Sequence, residues 1–199
     1  MEINNLVHLA RQRVNNLNLA PDTELGKLVY KSPVFLWRLG LGPVIGHALL
    51  ILTTTGRNTG LLRRVALEYR TLHNKRYIVN AYGDAAQWYQ NIQADPFVTI
   101  QTARGSESAK AAMVDNEVEI LSILQEFKQY NPFFISWYLK LIGLEDDEQN
   151  LLENKERLCI LRFDPINQLT PPALEVDLAW LWPLIILLKL LSPRRKRRK

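Results

Sequence analysis

The residues best suited to bind a ligand lie at the expected end of an apolar strand. They form the stretch Thr53-Thr54-Thr55-Gly56-Arg57-Asn58-Thr59-Gly60-Leu61-Leu62-Arg63-Arg64. Two glycines free the backbone to turn, hydroxyl and amide side chains face the turn, and three arginines are present. Backbone N–H groups beside guanidinium groups form a concave cradle suited to a phosphate or a carboxylate. The stretch is not a Walker motif, because its Gly-x-x-x-Gly lacks the Lys-Ser/Thr and the following helix. An ordinary hairpin turn with solvated arginines has the same spacing, so both interpretations stand at this point.

A second candidate stretch, from Ala81 to Asn91, places a strand end, a glycine and a helix start in succession. The start of a helix offers backbone N–H groups at the positive end of its dipole. Trp88 and Asn91 are three residues apart and therefore share one helical face, where they supply a flat apolar wall and an amide that can read a ring edge. A core tryptophan beside an ordinary polar residue fits the same spacing.

The elements that must position these residues are short and joined by tight turns. The first twenty residues have the periodicity of an amphipathic helix, a second short helix is expected to end at Tyr30, and residues 33–46 are predicted to form a broken helix and a loop. Strands are predicted over 48–55, 63–71, 77–81, 97–102, 107–114 and 158–163, and helices over 85–94, 117–130 and 132–142. Hairpin-connected strands without the crossover helices of a parallel sheet predict an α+β fold with an antiparallel sheet or small barrel.

Composition and charge narrow the class of protein further. The chain has 199 residues, 47% of them hydrophobic and 23% charged, which is typical of one globular domain and excludes wholesale disorder. The single cysteine, Cys159, excludes an internal disulfide framework, and with three scattered histidines no metal site is expected. The net charge is +5, but the last six residues are all basic, which leaves 19 basic against 20 acidic side chains in the remainder. No nucleic-acid-binding face is therefore expected on the folded body.

Taken together, the motifs resemble those of the deazaflavin-dependent nitroreductase family, also called the F420H2-dependent quinone reductase type. The resemblance rests on Leu36-Trp37-Arg38-Leu39-Gly40-Leu41-Gly42, on His47, on the stretch from Leu50 to Arg63, and on Trp88-Tyr89-x-Asn91-x-x-Ala94-Asp95-Pro96. It covers the chain from about residue 30 to about residue 165. It implies an antiparallel split β-barrel, related to FMN-binding proteins like pyridoxamine-phosphate oxidase, with coenzyme F420 in a cleft beside the barrel.

The resemblance also implies which residues hold the cofactor. The glycine-arginine turn is expected to hold the phosphate and the polyglutamate tail, with Arg64 compensating for Asn58, which stands where relatives usually have a basic residue. The loop before the Trp-Tyr helix is expected to lie along the ring. The implied cofactor-binding residues are Thr54, Thr55, Arg57, Asn58, Thr59, Gly60, Arg63, Arg64, Ala81, Tyr82, Gly83, Trp88 and Asn91.

Hydride transfer is chemistry that a cofactor performs, so no protein nucleophile or paired carboxylates are needed, and none is evident. Tyr82, Tyr130 and Tyr138 are the candidate catalytic residues, since a phenol can donate a proton or hydrogen bond to a reduced acceptor; lining the cleft or packing among helices is the alternative. His8, His47 and His73 are expected to be structural or exposed, and Cys159, in an apolar strand, to be inert.

The C-terminal segment has a composition of its own. Residues 178–188 are all apolar, and Pro183 among them would interrupt a helix. The last six residues of the chain are basic. The segment is shorter than a membrane span needs, and Trp180 and Trp182 at one end with basic residues at the other suit a membrane interface. The sequence thus favours an in-plane or re-entrant anchor on an anionic leaflet; a helix packed on the body or on a partner, and a nucleic-acid tail, are alternatives.

The sequence therefore predicts three parts: an N-terminal helical segment (1–46), a split-barrel cofactor domain (47–165) and an apolar then basic tail (166–199). The start of the chain lacks the features of a signal peptide, so the protein is expected in the cytoplasm or peripherally on the inner face of the membrane. The expected function is an F420H2-dependent oxidoreductase that transfers hydride to a quinone, a nitro compound or a similar apolar acceptor. An FMN-dependent enzyme of the same fold and a non-catalytic flavin- or lipid-binding protein at the membrane are the alternatives.

Overall fold

A computed structural model describes residues 31–191 of the chain. It begins with the broken helix α1 over 31–45, which is α-helical over 31–36, π-helical over Trp37–Leu41 and α-helical again over Gly42–Ile45. The break lies at Gly40, whose φ of +87° is a left-handed conformation that glycine adopts without steric cost. The prediction of a broken helix here is confirmed, whereas the two helices predicted before residue 31 lie outside the described residues.

Seven antiparallel strands form one sheet in the order β2-β1-β5-β6-β7-β4-β3. Their bounds are β1 Leu49–Thr55, β2 Leu62–Glu68, β3 Arg70–Leu72, β4 Lys75–Val79, β5 Phe97–Thr102, β6 Gly105–Met113 and β7 Ile160–Pro165. The predicted strand 63–71 is wrong as a single element. Its two halves are β2 and β3, separated by Tyr69 alone.

The position of Tyr69 also shows that the sheet curls into a barrel. β2 and β3 are the two edge strands of the sheet, yet the Cα atoms of Glu68 and Arg70 are no more than about 7.6 Å apart along the chain. The edges must therefore meet, which confirms the predicted α+β split barrel. Its interior is filled by buried residues of the strands and of the helix beside them, including Leu50, Leu52, Ile78, Val98, Ile100, Leu161, Phe163, Trp88 and Ile92.

The helices pack at the ends and on one side of this barrel. They are α2 Gln87–Ala94, α3 Glu117–Tyr130, α4 Pro132–Ile142 and α5 Glu148–Glu153. The side chains of Asn116 and Asn131 cap α3 and α4 by accepting from the backbone N–H of Glu119 and of Phe134. The predicted bounds of α3 and α4 are confirmed, and α5 was not predicted. These helices form a second apolar core with Tyr77 and Ile160 of the sheet.

An extended segment, residues 166–178, crosses the outer face of β1 and β5 and is called the strap below. Gln101 is buried there and exchanges two hydrogen bonds with the backbone of Leu174, at 3.0 and 2.6 Å. Leu174 packs with Ile51 and Trp37. After a 3-10 turn over Ala179–Leu181, the last described helix is α6, Trp182–Leu191. Within residues 31–191, every helix is too short or too polar to cross a membrane.

Candidate active site

A cavity of about 640 Å³ opens between the β1–β2 turn, α2 and the loop that precedes α2. Its described lining comes from three parts of the chain that are distant in sequence, namely Lys31, residues 56–65 and residues 82–91. The lining residues are Lys31, Gly56, Arg57, Asn58, Thr59, Arg63, Arg64, Val65, Tyr82, Ala85, Ala86, Gln87, Trp88 and Asn91. We refer to this cavity as the cleft.

The β1–β2 turn closes on its own backbone. The Gly56 carbonyl accepts from the N–H groups of Thr59 (3.1 Å) and Gly60 (2.7 Å), and the Gly56 N–H donates to the Leu61 carbonyl (2.8 Å). Gly60 has a φ of +66°, which explains the glycine at this position. The prediction that this turn offers a cradle of free N–H groups is therefore wrong at Gly56, Thr59 and Gly60, because the N–H groups of these residues already donate within the turn. The groups of this turn that remain available to an anion include the side-chain cations of Arg57 and Arg63.

The buried side chain of Asn91 ties this turn to α2. Its Oδ1 accepts from the backbone N–H of Arg57 and from the guanidinium of Arg57, each at 3.2 Å. Its Nδ2 donates to Oγ1 of Thr54, also at 3.2 Å. Gln87, one turn earlier on α2, accepts from the other end of the same guanidinium at 3.2 Å. Arg57 is thus held in one orientation before any ligand arrives, which lowers the entropic cost of binding.

The electrostatics of the cleft are one-sided. Among the lining residues that the structure describes, four have cationic side chains, namely Lys31, Arg57, Arg63 and Arg64, and no lining residue of this set has a carboxylate. Arg63 pairs with Thr54 and therefore lies on the barrel face of β2, whereas Arg64 pairs with Thr53 on the outer face. Arg64 also borders a second cavity beside Asp177, and its Nε is buried without a partner among the described residues. Concave cationic surfaces of this kind attract phosphate and carboxylate groups.

An aromatic and aliphatic wall forms the other side of the cleft. Trp88 is 8% exposed and packs edge to face on Tyr89, with ring centroids 6.0 Å apart. The loop before it is fixed by buried Asn80, whose Nδ2 donates to the Gly83 carbonyl (2.9 Å) and whose Oδ1 accepts from the Tyr82 N–H (3.1 Å). A rigid apolar wall opposite a cationic turn suits a flat ligand with an anionic arm.

The structure brings eight of the thirteen predicted cofactor-binding residues into the lining: Arg57, Asn58, Thr59, Arg63, Arg64, Tyr82, Trp88 and Asn91. The other five, Thr54, Thr55, Gly60, Ala81 and Gly83, do not line it. Thr54 is buried under Asn91, and Gly83 receives the hydrogen bond from Asn80. Lys31, Gln87 and Asn80 were not predicted.

Of the three candidate tyrosines, Tyr82 alone lies in the cleft. Tyr138 is fully buried in the helical core, where its hydroxyl accepts from the Cys159 N–H at 2.9 Å, and burial is the main cause that raises its pKa. Tyr130 is 65% exposed and stacks under the guanidinium of Arg70, 3.7 Å from the ring centroid. Neither ring reaches the cleft, which corrects the prediction for both residues.

Other kinds of site in the described part of the chain would be a metal site or a reactive cysteine. Residues 31–191 contain no group of three or more His, Cys, Asp or Glu side chains placed to hold a metal ion. Cys159 lies beside Asn80, whose Nδ2 is 3.4 Å from its sulfur. The thiol therefore belongs to the packing behind the loop rather than to the cleft.

The fold and the cleft define a small split-barrel protein with a cationic, aromatic-walled binding site. Residues 40–132 match the model of the family described as F420H(2)-dependent quinone reductase, which confirms the predicted resemblance to this family over that segment. The family is F420-dependent, which confirms the expected cofactor and an oxidoreductase as the class of enzyme. A comparison with curated protein sequences finds no match.

Solved structures give looser likenesses. The structure of F420-H2 dependent reductase FDR-A is 19% identical, covering 59% of this chain and 94% of that one, at a TM-score of 0.46. The heme storage protein HutZ from Vibrio cholerae is 14% identical, covering 74% and 98% respectively, at a TM-score of 0.43. The barrel assignment for this chain rests on its own strand order.

Proposed function

We propose that the chain is a cytoplasmic oxidoreductase that uses reduced F420 to reduce a quinone, a nitro compound or a similar apolar acceptor. The observation that carries this proposal is the cleft itself, whose lining within residues 31–191 has four cations and no carboxylate beside the wall of Trp88 and Tyr82. F420 is a flat ring system with an anionic arm, so the lining residues fit its chemistry.

In this proposal each side of the cleft has one task. Arg57 and Arg63 bind the phosphate and carboxylates of the cofactor, and Asn91 and Gln87 keep the Arg57 guanidinium aimed at them. Trp88 packs against the ring and excludes water from it. The bound cofactor supplies the hydride, and the protein supplies position and shielding.

The acceptor would lie against the apolar part of the lining, Val65, Ala85 and Ala86. This part offers no charge to stabilise a polar substrate, which favours a quinone ring or a nitroaromatic compound. Tyr82 has a hydroxyl on that wall and is proposed to donate a hydrogen bond to the acceptor oxygen as the acceptor gains charge.

Fluorescence titrations of the purified protein with F420 and with FMN test the cofactor. Because a charge-assisted hydrogen bond contributes about 1.5–3 kcal/mol, Arg63→Ala should raise the F420 Kd by about tenfold or more. Arg104→Ala is the matched control, since Arg104 is an exposed arginine on the β5–β6 turn, and it should leave the Kd unchanged.

Turnover is tested by reoxidation of F420H2 in the presence of menadione and of a nitroaromatic compound. We expect reoxidation that depends on the protein and is reduced in Arg63→Ala. Tight binding of FMN with none of F420 would identify the FMN-dependent alternative. Binding of F420 without reoxidation by any acceptor would identify a carrier rather than an enzyme.

A further inference from the structure

The described side chains of α6 present apolar surface to solvent over much of the helix. Leu184, Ile186, Leu187 and Leu190 are 48, 55, 51 and 78% exposed, and Trp180 just before the helix is 64% exposed. At 100° per residue the four helical positions span an arc of about 160°. A helix on the surface of a globular protein normally packs such an arc against the protein, whereas the part of the chain that the structure describes leaves this arc uncovered.

The base of α6 is firmly attached to the body. The indole N–H of Trp182 donates to the Leu39 carbonyl at 2.8 Å, in the broken helix α1. Just before it, the Leu178 N–H donates to the Arg38 carbonyl (3.0 Å), and Arg38 forms a two-pronged ion pair with Asp177 at 2.8 and 2.6 Å. These contacts fix where the apolar surface begins relative to the barrel.

Charge indicates which kind of surface covers this helix. Residues 194–199, directly beyond α6 in sequence, are all arginine or lysine, while the rest of the chain has a net charge of −1. Nucleic acid would match the charge but leave the leucines and isoleucines exposed. A second copy of the chain would match the apolar arc but bring six more positive charges against the first six. An anionic lipid surface matches both features at once.

Length determines how the helix can lie. Its ten residues extend about 15 Å, half of the roughly 30 Å hydrocarbon thickness of a bilayer. We propose that α6 lies in the plane of an anionic membrane, with Trp180, Ile186 and the exposed leucines in the interfacial layer and the basic end of the chain against the lipid head groups. This proposal goes beyond the reaction and does not depend on it.

Vesicle flotation of the full chain tests the proposal. Wild-type protein should float with vesicles of equal parts phosphatidylglycerol and phosphatidylcholine, and at least about tenfold less with pure phosphatidylcholine. Replacing residues 194–199 by glutamine should weaken binding to the anionic vesicles by at least about a hundredfold. Leu187→Asp with Leu190→Asp should abolish flotation on both compositions.

The matched control is Val118→Asp with Leu169→Asp, which places the same charges at two exposed apolar positions outside α6. It should float like wild type, and circular dichroism should show all variants folded. The proposal is overturned if wild type fails to float on anionic vesicles, or if both tail variants float as well as wild type. It is equally overturned if wild type forms dimers that Leu187→Asp with Leu190→Asp dissociates, because the helix is then covered by a second copy.

Discussion

Arg57 reaches the cleft with its guanidinium already hydrogen-bonded to two side-chain amides of the neighbouring helix. The two amides differ in burial. Asn91 is 4% exposed and also holds the Arg57 backbone and Thr54, whereas the contact between Arg57 and Gln87 is exposed. Loss of Asn91 should therefore affect both folding and binding, and loss of Gln87 mainly binding.

We expect Asn91→Ala to lower the free energy of unfolding by about 1–3 kcal/mol, because it leaves buried donors and acceptors unpaired. The Kd for F420 should rise by about tenfold, since the turn that carries Arg57 loses its anchor. Urea unfolding and fluorescence titration measure the two effects. Gln93→Ala, an exposed amide on the same helix, is the control and should change neither. Unchanged binding in a destabilised Asn91→Ala variant would show that Asn91 is purely structural.

At this scale the sequence predicted the residues that carry charge or an aromatic ring, because their types limit what they can do. Arg57, Arg63 and Trp88 belong to motifs, and all three line the cleft. Lys31 and Asn80 belong to no recognisable motif. Lys31 joins the cleft from a helix distant in sequence, and Asn80 acts through a turn that only the folded loop reveals. Tyr130 and Tyr138 were misplaced because a helix position does not reveal which way its face points.

At the scale of elements, the β3–β4 hairpin is joined by His73 and Asn74, both in the left-handed region with φ of 47° and 62°. Two such residues form a type I′ turn, in which Asn-Gly is the preferred pair. We expect Asn74→Gly to raise the free energy of unfolding by about 0.5–1 kcal/mol and Asn74→Val to lower it by about 1–2 kcal/mol. Urea unfolding measures both, and equal effects of the two substitutions would contradict the turn assignment.

A second prediction concerns the end of β7, where Asp164 accepts from Lys75 on β4 and from Arg162 beside it. Burial raises the pKa of Asp164, but the hydrogen bonds and charges of Lys75 and Arg162 outweigh it and hold the pKa below its usual value. A carboxyl whose pKa is lowered by folding stabilises the protein above its unfolded pKa of about 4, and this contribution is lost as the pH falls through the folded value.

Asp164→Asn should therefore lower the free energy of unfolding at pH 7 by about 0.5–1 kcal/mol, a small value because the pair is partly exposed. The difference from wild type should shrink as the pH falls below about 4, because the folded-state pKa of Asp164 lies below its unfolded value. Urea unfolding at several pH values measures it, with the exposed Asp115→Asn as control. A difference that is constant with pH would show that the ionised carboxylate is not what stabilises this strand end.

Sequence periodicity predicted the helices and strands whose buried face stays the same along their length. It was wrong where the chain passes from one strand to another without a change in the pattern of apolar residues. The alternation from Arg63 through Thr71 continues unbroken, because Val65, Leu67 and Tyr69 all pack against the barrel core. At Tyr69 the chain nevertheless passes from β2, at one edge of the sheet, to β3, at the other edge. This passage follows from the closure of the sheet into a barrel, which the local sequence does not indicate. The strap has no periodicity at all, because its hydrogen bonds go to side chains such as Gln101.

At the scale of the whole molecule, two groups of positive charge are separate in sequence. The cleft has four cations set into a body whose overall balance is −1, while the six basic residues at the end of the chain follow an apolar helix that is fastened to α1. Both regions attract anions, but one is concave and walled by Trp88, and the other is continuous with exposed leucines. The first suits a single small ligand and the second an extended surface, so the two affinities should be separable.

Removing residues 194–199 should therefore leave the F420 Kd within about twofold of wild type, because the cleft has four cations of its own to bind the anionic arm. The same deletion should abolish flotation on anionic vesicles. Arg63→Ala should do the reverse, weakening F420 binding while leaving flotation unchanged. Both variants are compared in both assays at one ionic strength, since surface electrostatics depend on salt. If the deletion weakened F420 binding as much as Arg63→Ala does, the tail would be part of the cofactor site rather than a separate anchor.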